Sequence, residues 1–291
     1  MLCIISNELT LLRNYRKVGG VFLHTEETLL QQLAELGIDP KGTLLVHSSM
    51  KSIGQVEGGA DTVLDAFSTY MKDGLLVLPA MTWSYINRNN PYFYVNESES
   101  CVGILTELFW RRPNVVRSLH PTHSVAALGK DAKSFTEGDE KFDTPCARGS
   151  VYGKMLDRQG QILLVGVDLR RCTFIHGIEE WMDVPGRVSD HHEQLYTVLP
   201  DGTKISVPQR RHTSSWSEHY WKVEEVLAKR GAITYGKFGD ADVIVCDTVK
   251  MYQDISKMLA IDLDLFGDNE PLADKIVDIM LSEKEHVKID G

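Results

Sequence analysis

Short, uninterrupted apolar segments alternate with helix-like segments along this 291-residue chain. Three of them occupy residues 43–46, 75–78 and 162–167. Strands that are covered on both faces read as continuous apolar runs, because neither face meets water. We therefore predict an α/β fold, a single mixed-sheet domain with helices on both faces of the sheet.

A turn signature lies between two strand-like segments in the second half of the chain. Asp201-Gly202 separates residues 196–199 from residues 204–207. Asp-Gly is a strong hairpin signal because the tight turn needs residues that tolerate positive φ. The sequence therefore predicts an antiparallel hairpin insertion.

The first clear helix signal begins at Thr25. Thr25 is followed by Glu26 and Glu27, the pattern of an N-cap with early acidic residues. Residues 1–24 are weakly patterned, and no repeat or linker divides the rest. We predict a peripheral N-terminal arm over residues 1–24 and a single α/β domain over residues 25–291.

Composition limits the partners and the compartment. The net charge is −10 and there is no Lys/Arg-rich stripe, which argues against nucleic acid and favours cationic ligands. Five scattered cysteines without a CxxC pair are typical of reduced thiols. No basic start followed by an apolar run marks a signal peptide, and no apolar stretch approaches the ~20 residues of a membrane span. We expect a cytoplasmic protein without a membrane partner, and a homodimer stays open.

The segment from residue 47 to residue 59 joins a predicted strand to a predicted helix. It is rich in Ser and Gly and contains Lys51. Backbone N–H groups and small hydroxyls at such a position suit a phosphate or pyrophosphate. An ordinary strand–helix turn is the alternative, since no Walker motif is present.

Two histidines flank a proline in His120-Pro121-Thr122-His123. Pro121 favours extended geometry at His120, so the imidazoles are predicted to have defined positions as a general base or a cofactor contact. Loop histidines with satisfied hydrogen bonds are the alternative. A zinc site with His176 is conceivable, although no HExxH spacing is present. Cys146 could act as a nucleophile, but a lone cysteine is more often a small buried apolar residue.

An acidic helical face with one histidine follows the third apolar segment. If Thr173 caps the helix, the spacing i, i+3, i+4 and i+7 places four side chains on one face. They are His176, Glu179, Glu180 and Asp183. Because no basic residue follows until Arg187, we expect this patch to raise the pKa of the imidazole and to attract polycations. An acidic surface helix is the alternative.

Together these segments resemble the aminoglycoside N3-acetyltransferase family, the antibiotic acetyltransferases that lack the GNAT fold. The similarity extends in order over residues 25–260. The matching pieces are residues 45–54, 56–60, 74–79, 117–127, 144–146, 149–154 and 162–179. Ala80-Met81-Thr82 and Val151 depart mildly from the family pattern.

The resemblance implies acetyl transfer from acetyl-CoA to the 3-amino group of a 2-deoxystreptamine ring, with no metal. It assigns part of the chain to the pantetheine and phosphate side of coenzyme A. These residues are His47, Ser48, Ser49, Lys51, Ser52, Ile53, Val56, Thr82, Ser124 and Tyr152.

The expected mechanism is direct transfer within a ternary complex. His176 takes the amine proton as general base, and Glu179 orients the ring and stabilises the imidazolium. His120 is the rival base, and Glu180 and Asp183 hold other ammonium groups of an aminoglycoside. Backbone N–H groups of residues 47–54 could meet the developing oxyanion. Two alternatives are an acetyltransferase of the same fold that acts on a different small amine, and a metal-dependent hydrolase.

Overall fold

The computed structural model describes residues 15–18, 21–213 and 216–282. Its strands are β1 (Tyr15–Val18), β2 (Val21–His24), β3 (Thr43–Ser48), β4 (Leu75–Pro79), β5 (Tyr92–Tyr94), β6 (Val116–Arg117), β7 (Val125–Gly129), β8 (Gln161–Val165), β9 (Tyr196–Val198), β10 (Lys204–Ser206), β11 (Ile233–Phe238) and β12 (Ala241–Asp247).

The helices follow the predicted alternation. They are α1 (Glu26–Glu35), α2 (Met50–Ile53), α3 (Ala60–Tyr70), α4 (Ile104–Trp110), α5 (Ala132–Thr136), α6 (Val151–Asp157), α7 (Thr173–Trp181), α8 (Glu224–Lys229), α9 (Thr248–Ile261) and α10 (Asp274–Ser282), with 3-10 helices at Asp139–Lys141, Leu169–Arg171 and Trp216–Val223.

A seven-stranded mixed sheet forms the centre, in the order β11-β12-β8-β3-β4-β7-β6. β3 pairs in parallel with both β4 and β8, and the outer pairs are antiparallel. Successive side chains of a strand point to opposite faces, so Leu44 packs with α1, α3 and α4 while Leu45 packs with α6, α7 and α9. The predicted α/β mixed sheet with helices on both faces is confirmed.

The predicted hairpin is also present. β9 and β10 pair antiparallel across Asp201-Gly202. β5 adds to β9 in parallel and completes a separate three-stranded sheet. The strand β5 was not predicted from the sequence. Aromatic residues favour strands, and Tyr92–Tyr94 pairs as one.

Helix α7 differs from its prediction at both ends. Cys172 occupies the N-cap position without a side-chain cap, so the prediction that Thr173 caps the helix is wrong. The helix ends at Trp181, and Asp183 follows in a left-handed conformation with φ of 51°. The acidic face therefore does not continue to Asp183.

The cap at the first predicted helix is confirmed, since the Thr25 side chain accepts a hydrogen bond from the backbone N–H of Thr28. Ahead of it, β1 and β2 pair antiparallel. Most of the predicted N-terminal arm, residues 1–14, 19 and 20, lies outside the described residues, so the arm and the domain boundary stay predictions. Among the helices of the described part, none has the length and apolar character needed to span a bilayer.

Candidate active site

A cavity of about 640 Å³ opens where the parallel strands β4, β3 and β8 end. Its wall includes His47 and Ser48 from the end of β3, Pro79 from the end of β4, and Val167 just after β8. The carboxyl edge of parallel strands is the usual ligand site of open α/β sheets, because the loops that leave the strands converge there. His176 of α7 belongs to the same wall.

The Nδ1 atom of His176 faces a cluster of polar groups. The Tyr220 hydroxyl lies 2.5 Å from this atom and Glu179 Oε2 lies 3.4 Å from it. The Arg187 guanidinium also contacts Nδ1. Among the described residues no hydrogen-bond partner meets Nε2, so Nε2 is the ring nitrogen that remains for a ligand.

Glu179 is fully buried behind His176. Its Oε2 forms an ion pair with Arg187 Nε at 2.7 Å and accepts a hydrogen bond from the Tyr220 hydroxyl. Its other oxygen, Oε1, has no hydrogen-bond partner in the described part of the chain. Burial raises the pKa of Glu179 to about 7, although Arg187 and Tyr220 act in the opposite direction.

The pKa of His176 is shifted in the direction opposite to the one predicted from the sequence. Burial lowers it well below its usual value, and the charges of Arg187 and His47 add to this effect. The acidic patch was expected to raise this pKa, but Arg187 pairs with Glu179 and compensates the carboxylate. His176 is therefore a neutral imidazole near neutral pH, the form that can accept a proton.

Two further histidines lie beside His176 and line the cavity. The ring of His212 is centred 4.5 Å from that of His176, and the ring of His123 lies 5.5 Å from that of His212. Burial lowers the pKa of both rings well below the usual value. His123 was predicted from the sequence, whereas His212 was not, because no spacing connects it to α7.

The two carboxylates predicted to bind ammonium groups do not line the cavity. Glu180 is nearly buried, accepts a hydrogen bond from the Cys146 backbone N–H at 3.0 Å and contacts His212 Nε2 at 2.6 Å. Burial raises its pKa to about 7. Asp183 is exposed beyond the end of α7. The structure thus separates Asp183 from His176 and places Glu180 behind His212.

His120 is buried and held by hydrogen bonds, as expected for a residue with a structural role. It is completely buried, and its Nδ1 accepts the backbone N–H groups of Thr122 at 3.2 Å and His123 at 3.0 Å. Its Nε2 lies 3.3 Å from the carbonyl oxygen of Thr144. Both ring nitrogens are therefore engaged, and the ring does not line the cavity. Burial lowers the pKa of His120 to about 4.

The segment predicted to bind coenzyme A reaches the cavity only at its start, where His47 and Ser48 line the wall. The Ser52 hydroxyl donates to the Ser49 hydroxyl at 3.0 Å and closes the turn. Lys51 is exposed. Burial lowers the pKa of His47 to about 4.

Five further residues of this predicted set are not among those that line the cavity. Ile53 is in the core, and Val56 forms a bridge with His24. The Thr82 hydroxyl donates to the Pro121 carbonyl at 2.5 Å, and the Ser124 hydroxyl to the Ala80 carbonyl at 2.7 Å.

Tyr152 is buried in the core with Cys146. None of these five side chains lines the cavity. Their contact with coenzyme A stays a prediction.

The charge of the wall was not foreseen. Five arginines line the cavity, and Glu218 is the carboxylate among the described lining residues. The arginines are Arg170, Arg171, Arg187, Arg210 and Arg211. Their side chains come from three separate segments. Four of them form ion pairs with carboxylates: Arg170 with Asp168, Arg171 with Glu218, Arg187 with Glu179 and Arg211 with Glu193.

The side chains that could bind a metal ion are not the ones predicted from the sequence. Within the described residues, the ligand atoms that converge within 4.8 Å belong to Cys146, Glu180 and His212, and not to the predicted trio of His120, His123 and His176. Burial raises the pKa of the Cys146 thiol well above its usual value, which disfavours the thiolate needed for a nucleophile.

Comparisons with known proteins identify one family. A family model described as aminoglycoside 3-N-acetyltransferase matches residues 45–260. Aminoglycoside N(3)-acetyltransferase VII of Streptomyces paromomycinus is 31% identical over 217 residues, which span 68% of this chain and 73% of that protein.

Solved structures share the fold. A mutant of aminoglycoside acetyltransferase AAC(3)-IVa in complex with a gentamicin is 26% identical, with a TM-score of 0.74 over 84% of this chain and 92% of that chain. AAC-IIIb in binary complex with CoASH is 22% identical, with a TM-score of 0.71 over 82% of this chain and 97% of that chain.

The family match contains the strands that build the cavity and the helix that carries His176 and Glu179. The resemblance deduced from the motifs is confirmed, and the chain belongs to the aminoglycoside 3-N-acetyltransferase family.

Proposed function

We propose that this protein is an acetyl-CoA-dependent N-acetyltransferase that modifies a primary amine of a small molecule by direct transfer, with His176 as general base. The observation that carries the proposal is a neutral imidazole in the cavity wall with its Nδ1 face against Glu179. An ammonium group has no lone pair, so amide formation needs a group that removes a proton from the acceptor nitrogen.

The donor side of the cavity is formed by the end of β3 and the segment after β8. The Ser49 backbone N–H donates to the Val165 carbonyl at 2.9 Å, which joins these two segments. Arg170 and Arg171 follow on the second segment and line the cavity. Guanidinium groups at this rim fit the phosphates of coenzyme A, and AAC-IIIb, which shares the fold, was solved with CoASH.

Acetyl-CoA supplies an activated acetyl group as a thioester. The acceptor nitrogen attacks the thioester carbonyl carbon, the new N–C bond forms, and the C–S bond breaks. His176 Nε2 takes a proton from the nitrogen, and the imidazolium then gives this proton to the leaving thiolate, which becomes the free thiol. Atoms and charges balance without an enzyme-bound acetyl group.

Glu179 and its partners prepare His176 for this step. A guanidinium can only donate, so the Arg187 N–H that faces Nδ1 must turn away in the productive tautomer. In that tautomer Nδ1–H donates to Glu179 Oε2, which leaves the Nε2 lone pair toward the cavity. Arg187 and Tyr220 contact the same carboxylate oxygen and fix its position. The carboxylate stabilises the imidazolium that forms during transfer.

Two candidate acceptors are proposed. The name of the Streptomyces paromomycinus relative and the gentamicin complex of AAC(3)-IVa support the 3-amino group of a 2-deoxystreptamine aminoglycoside. A second candidate, a different small amine, is favoured by one observation. Neither Glu180 nor Asp183 reaches the cavity wall, so the carboxylates expected to hold a polycation are absent from that part of the described structure.

The experiment is an acceptor screen with acetyl-CoA. Thiol release is followed across kanamycin-type, gentamicin-type and unrelated amines, and mass spectrometry detects addition of one acetyl group. Calorimetry with CoA alone measures donor binding independently. We expect CoA binding and acetylation of at least one amine. Absence of CoA binding would contradict the proposal.

A further inference from the structure

A second pair of carboxylate and imidazole lies beside the pair formed by Glu179 and His176. Glu180 is the next residue of α7, and its Oε1 lies 2.6 Å from His212 Nε2. The side chain of Glu180 is 5% exposed and that of His212 is 13% exposed, so the carboxylate is buried while the ring reaches the cavity surface. Two adjacent carboxylates of one helix therefore each hold one histidine ring.

The two rings leave different nitrogens for a ligand. His176 meets its carboxylate through Nδ1, whereas His212 meets Glu180 through Nε2. Within residues 15–18, 21–213 and 216–282, no hydrogen bond to His212 Nδ1 is formed. The centres of the two rings lie 4.5 Å apart at an interplanar angle of 35°. An acceptor nitrogen that hydrogen-bonds to His176 Nε2 therefore lies close to His212 as well.

Backbone contacts hold Glu180 in position. The Cys146 backbone N–H donates to Glu180 Oε1 at 3.0 Å, and the Trp181 indole N–H donates to the Cys146 carbonyl at 2.7 Å. A fixed carboxylate selects one tautomer of its histidine and stabilises the imidazolium when a proton arrives. In this pair Nε2–H donates to Glu180 Oε1, which leaves the lone pair of His212 on Nδ1.

Acetyl transfer to an amine removes two protons from the acceptor nitrogen. The amine enters as an ammonium group with three hydrogens on nitrogen, and the amide product keeps one of them. In the proposed mechanism His176 takes one proton during attack and gives it to the leaving thiolate. The other proton has to leave first, because the ammonium nitrogen has no lone pair until it does. A second proton acceptor is therefore needed for the ammonium form.

We infer that His212 is this second proton acceptor and that Glu180 is its positioning residue. His212 Nδ1 takes the first proton from the bound ammonium group, which frees the lone pair that attacks the thioester. The proton stays on His212 until the N–C bond has formed, and it then passes to water. Ammonium and acetyl-CoA thus give the amide, the free thiol and one released proton. The inference rests on the proposed acetyltransferase function and holds for an aminoglycoside amine as for another primary amine.

The charges around the ring act on both partners of this proton transfer. The other titratable groups that influence His212 are His120, His123, His176, Arg187 and Arg211. The two guanidinium charges disfavour an imidazolium, and for the same reason they disfavour an ammonium group bound beside it. Because the proton affinity of both groups is lowered, these charges do not prevent transfer between them. They also make the imidazolium a short-lived species.

The test is the ratio of kcat/KM in His212→Gln to kcat/KM in the wild type, measured at a series of pH values with the full-length enzyme. The acceptor is the compound from the screen with the most basic amine, and NMR titration determines its pKa. Above this pKa the amine is already neutral in solution, so we expect a ratio close to 1. Below it, the variant uses only the neutral fraction, and the ratio should fall by about tenfold per pH unit.

Three further variants serve as comparisons. Glu180→Gln preserves the size of the side chain but removes the charge that stabilises the imidazolium, so it should show the same pH dependence with a smaller amplitude. His176→Gln should stay slow on both sides of the amine pKa, because His176 acts during attack. His191→Gln, at an exposed position, should match the wild type at every pH.

Three results would contradict the inference in different ways. Absence of CoA binding to the wild type, measured by calorimetry, would remove the proposed function itself. CoA binding with a ratio that is the same at every pH would leave the acetyltransferase in place but show that His212 accepts no proton from the ammonium group. One zinc ion per chain in elemental analysis, lost in His212→Gln, would show that Cys146, Glu180 and His212 hold a metal ion instead.

Discussion

At the scale of single residues, the site depends on how His176 is kept neutral and oriented. Desolvation lowers its pKa. The ion pair with Arg187 neutralises Glu179, so this carboxylate does not raise the pKa of His176 as the sequence predicted. Tyr220 links the carboxylate to the same ring nitrogen. The proton-accepting form is therefore available without a shift in pH, and the carboxylate acts as an orienting group.

Glu179→Gln tests that orienting role. The substitution preserves size but removes the negative charge, so the Nδ1–H tautomer and the imidazolium lose their acceptor. We expect kcat to fall by about 10- to 100-fold with a smaller change in KM. Because burial raises the pKa of Glu179 to about 7, the wild-type rate should fall as pH drops through that value.

The pH profile of the variant distinguishes a functional effect from a structural one. If ionised Glu179 is required, the falling limb near pH 7 disappears in Glu179→Gln. A limb that persists unchanged in the variant would show that another group is responsible.

At the scale of elements, α7 shows what the sequence could predict. His176 and Glu179 are three residues apart within one helix, so their proximity followed from helical geometry. Arg187 lies beyond the helix end, and Tyr220 and His212 belong to a distant segment. Their contacts depend on tertiary packing, which for Tyr220 brings the 3-10 helix Trp216–Val223 to α7, and no local spacing encodes it.

The strands could be predicted from the sequence more readily than the residues of the cavity wall. Continuous apolar runs indicated β3, β4 and β8, since burial on both faces leaves a direct trace in the sequence. Arg210 gave no such signal, because a surface arginine and a cavity arginine look alike without the fold. The five arginines of the cavity wall were therefore recognised only in the structure.

Gly177 in the middle of α7 offers a test of packing at this scale. A Cβ added at this position would lie 2.8 Å from Trp181 Cζ2 and 3.2 Å from Cε2. Alanine is the better helix former, yet we expect Gly177→Ala to lower the free energy of unfolding by about 1–3 kcal/mol because of this clash. Denaturant titration measures the change.

The control for this prediction is the double variant Gly177→Ala with Trp181→Leu, compared with Trp181→Leu alone. Removal of the ring takes away the clash, so the alanine should then be neutral or stabilising. A stabilising Gly177→Ala in the wild-type background would contradict the packing account.

At the scale of the whole molecule, many buried titratable groups lie close to one another around the cavity. Burial lowers the pKa of five histidines, to about 4 for His47 and His120 and well below 6.5 for His123, His176 and His212. It also raises the pKa of Asp139 to about 6 and those of Glu179 and Glu180 to about 7. These groups couple folding to pH in opposite directions.

The histidines should determine the acid limit of stability. In the unfolded chain they bind protons below pH 6.5, whereas in the folded chain His47 and His120 bind them only near pH 4 and the other three also resist protonation, so the contribution of the histidines is lost as pH falls below 6.5. Asp139, Glu179 and Glu180 have the opposite effect on stability. As pH falls they take up protons in the folded chain before they do so in the unfolded chain, which stabilises the fold. Because the histidines are more numerous, we expect the free energy of unfolding to decrease from pH 6.5 to pH 4.

His47→Gln isolates one contribution. It should flatten the pH dependence by up to about 3 kcal/mol across the window, as measured by denaturant titration at a series of pH values. His191→Gln, at an exposed position, should leave the slope unchanged. An identical slope in wild type and His47→Gln would contradict the account of a neutral buried ring.

The most direct test of the central claim is the single-turnover rate of acetyl transfer in His176→Gln. Enzyme saturated with acetyl-CoA and with the acceptor found in the screen is followed by thiol release, and exposed His191→Gln serves as the control. General-base catalysis predicts a rate about 100- to 10,000-fold below wild type with unchanged CoA affinity. A rate within a few-fold of wild type would show that His176 is not the base.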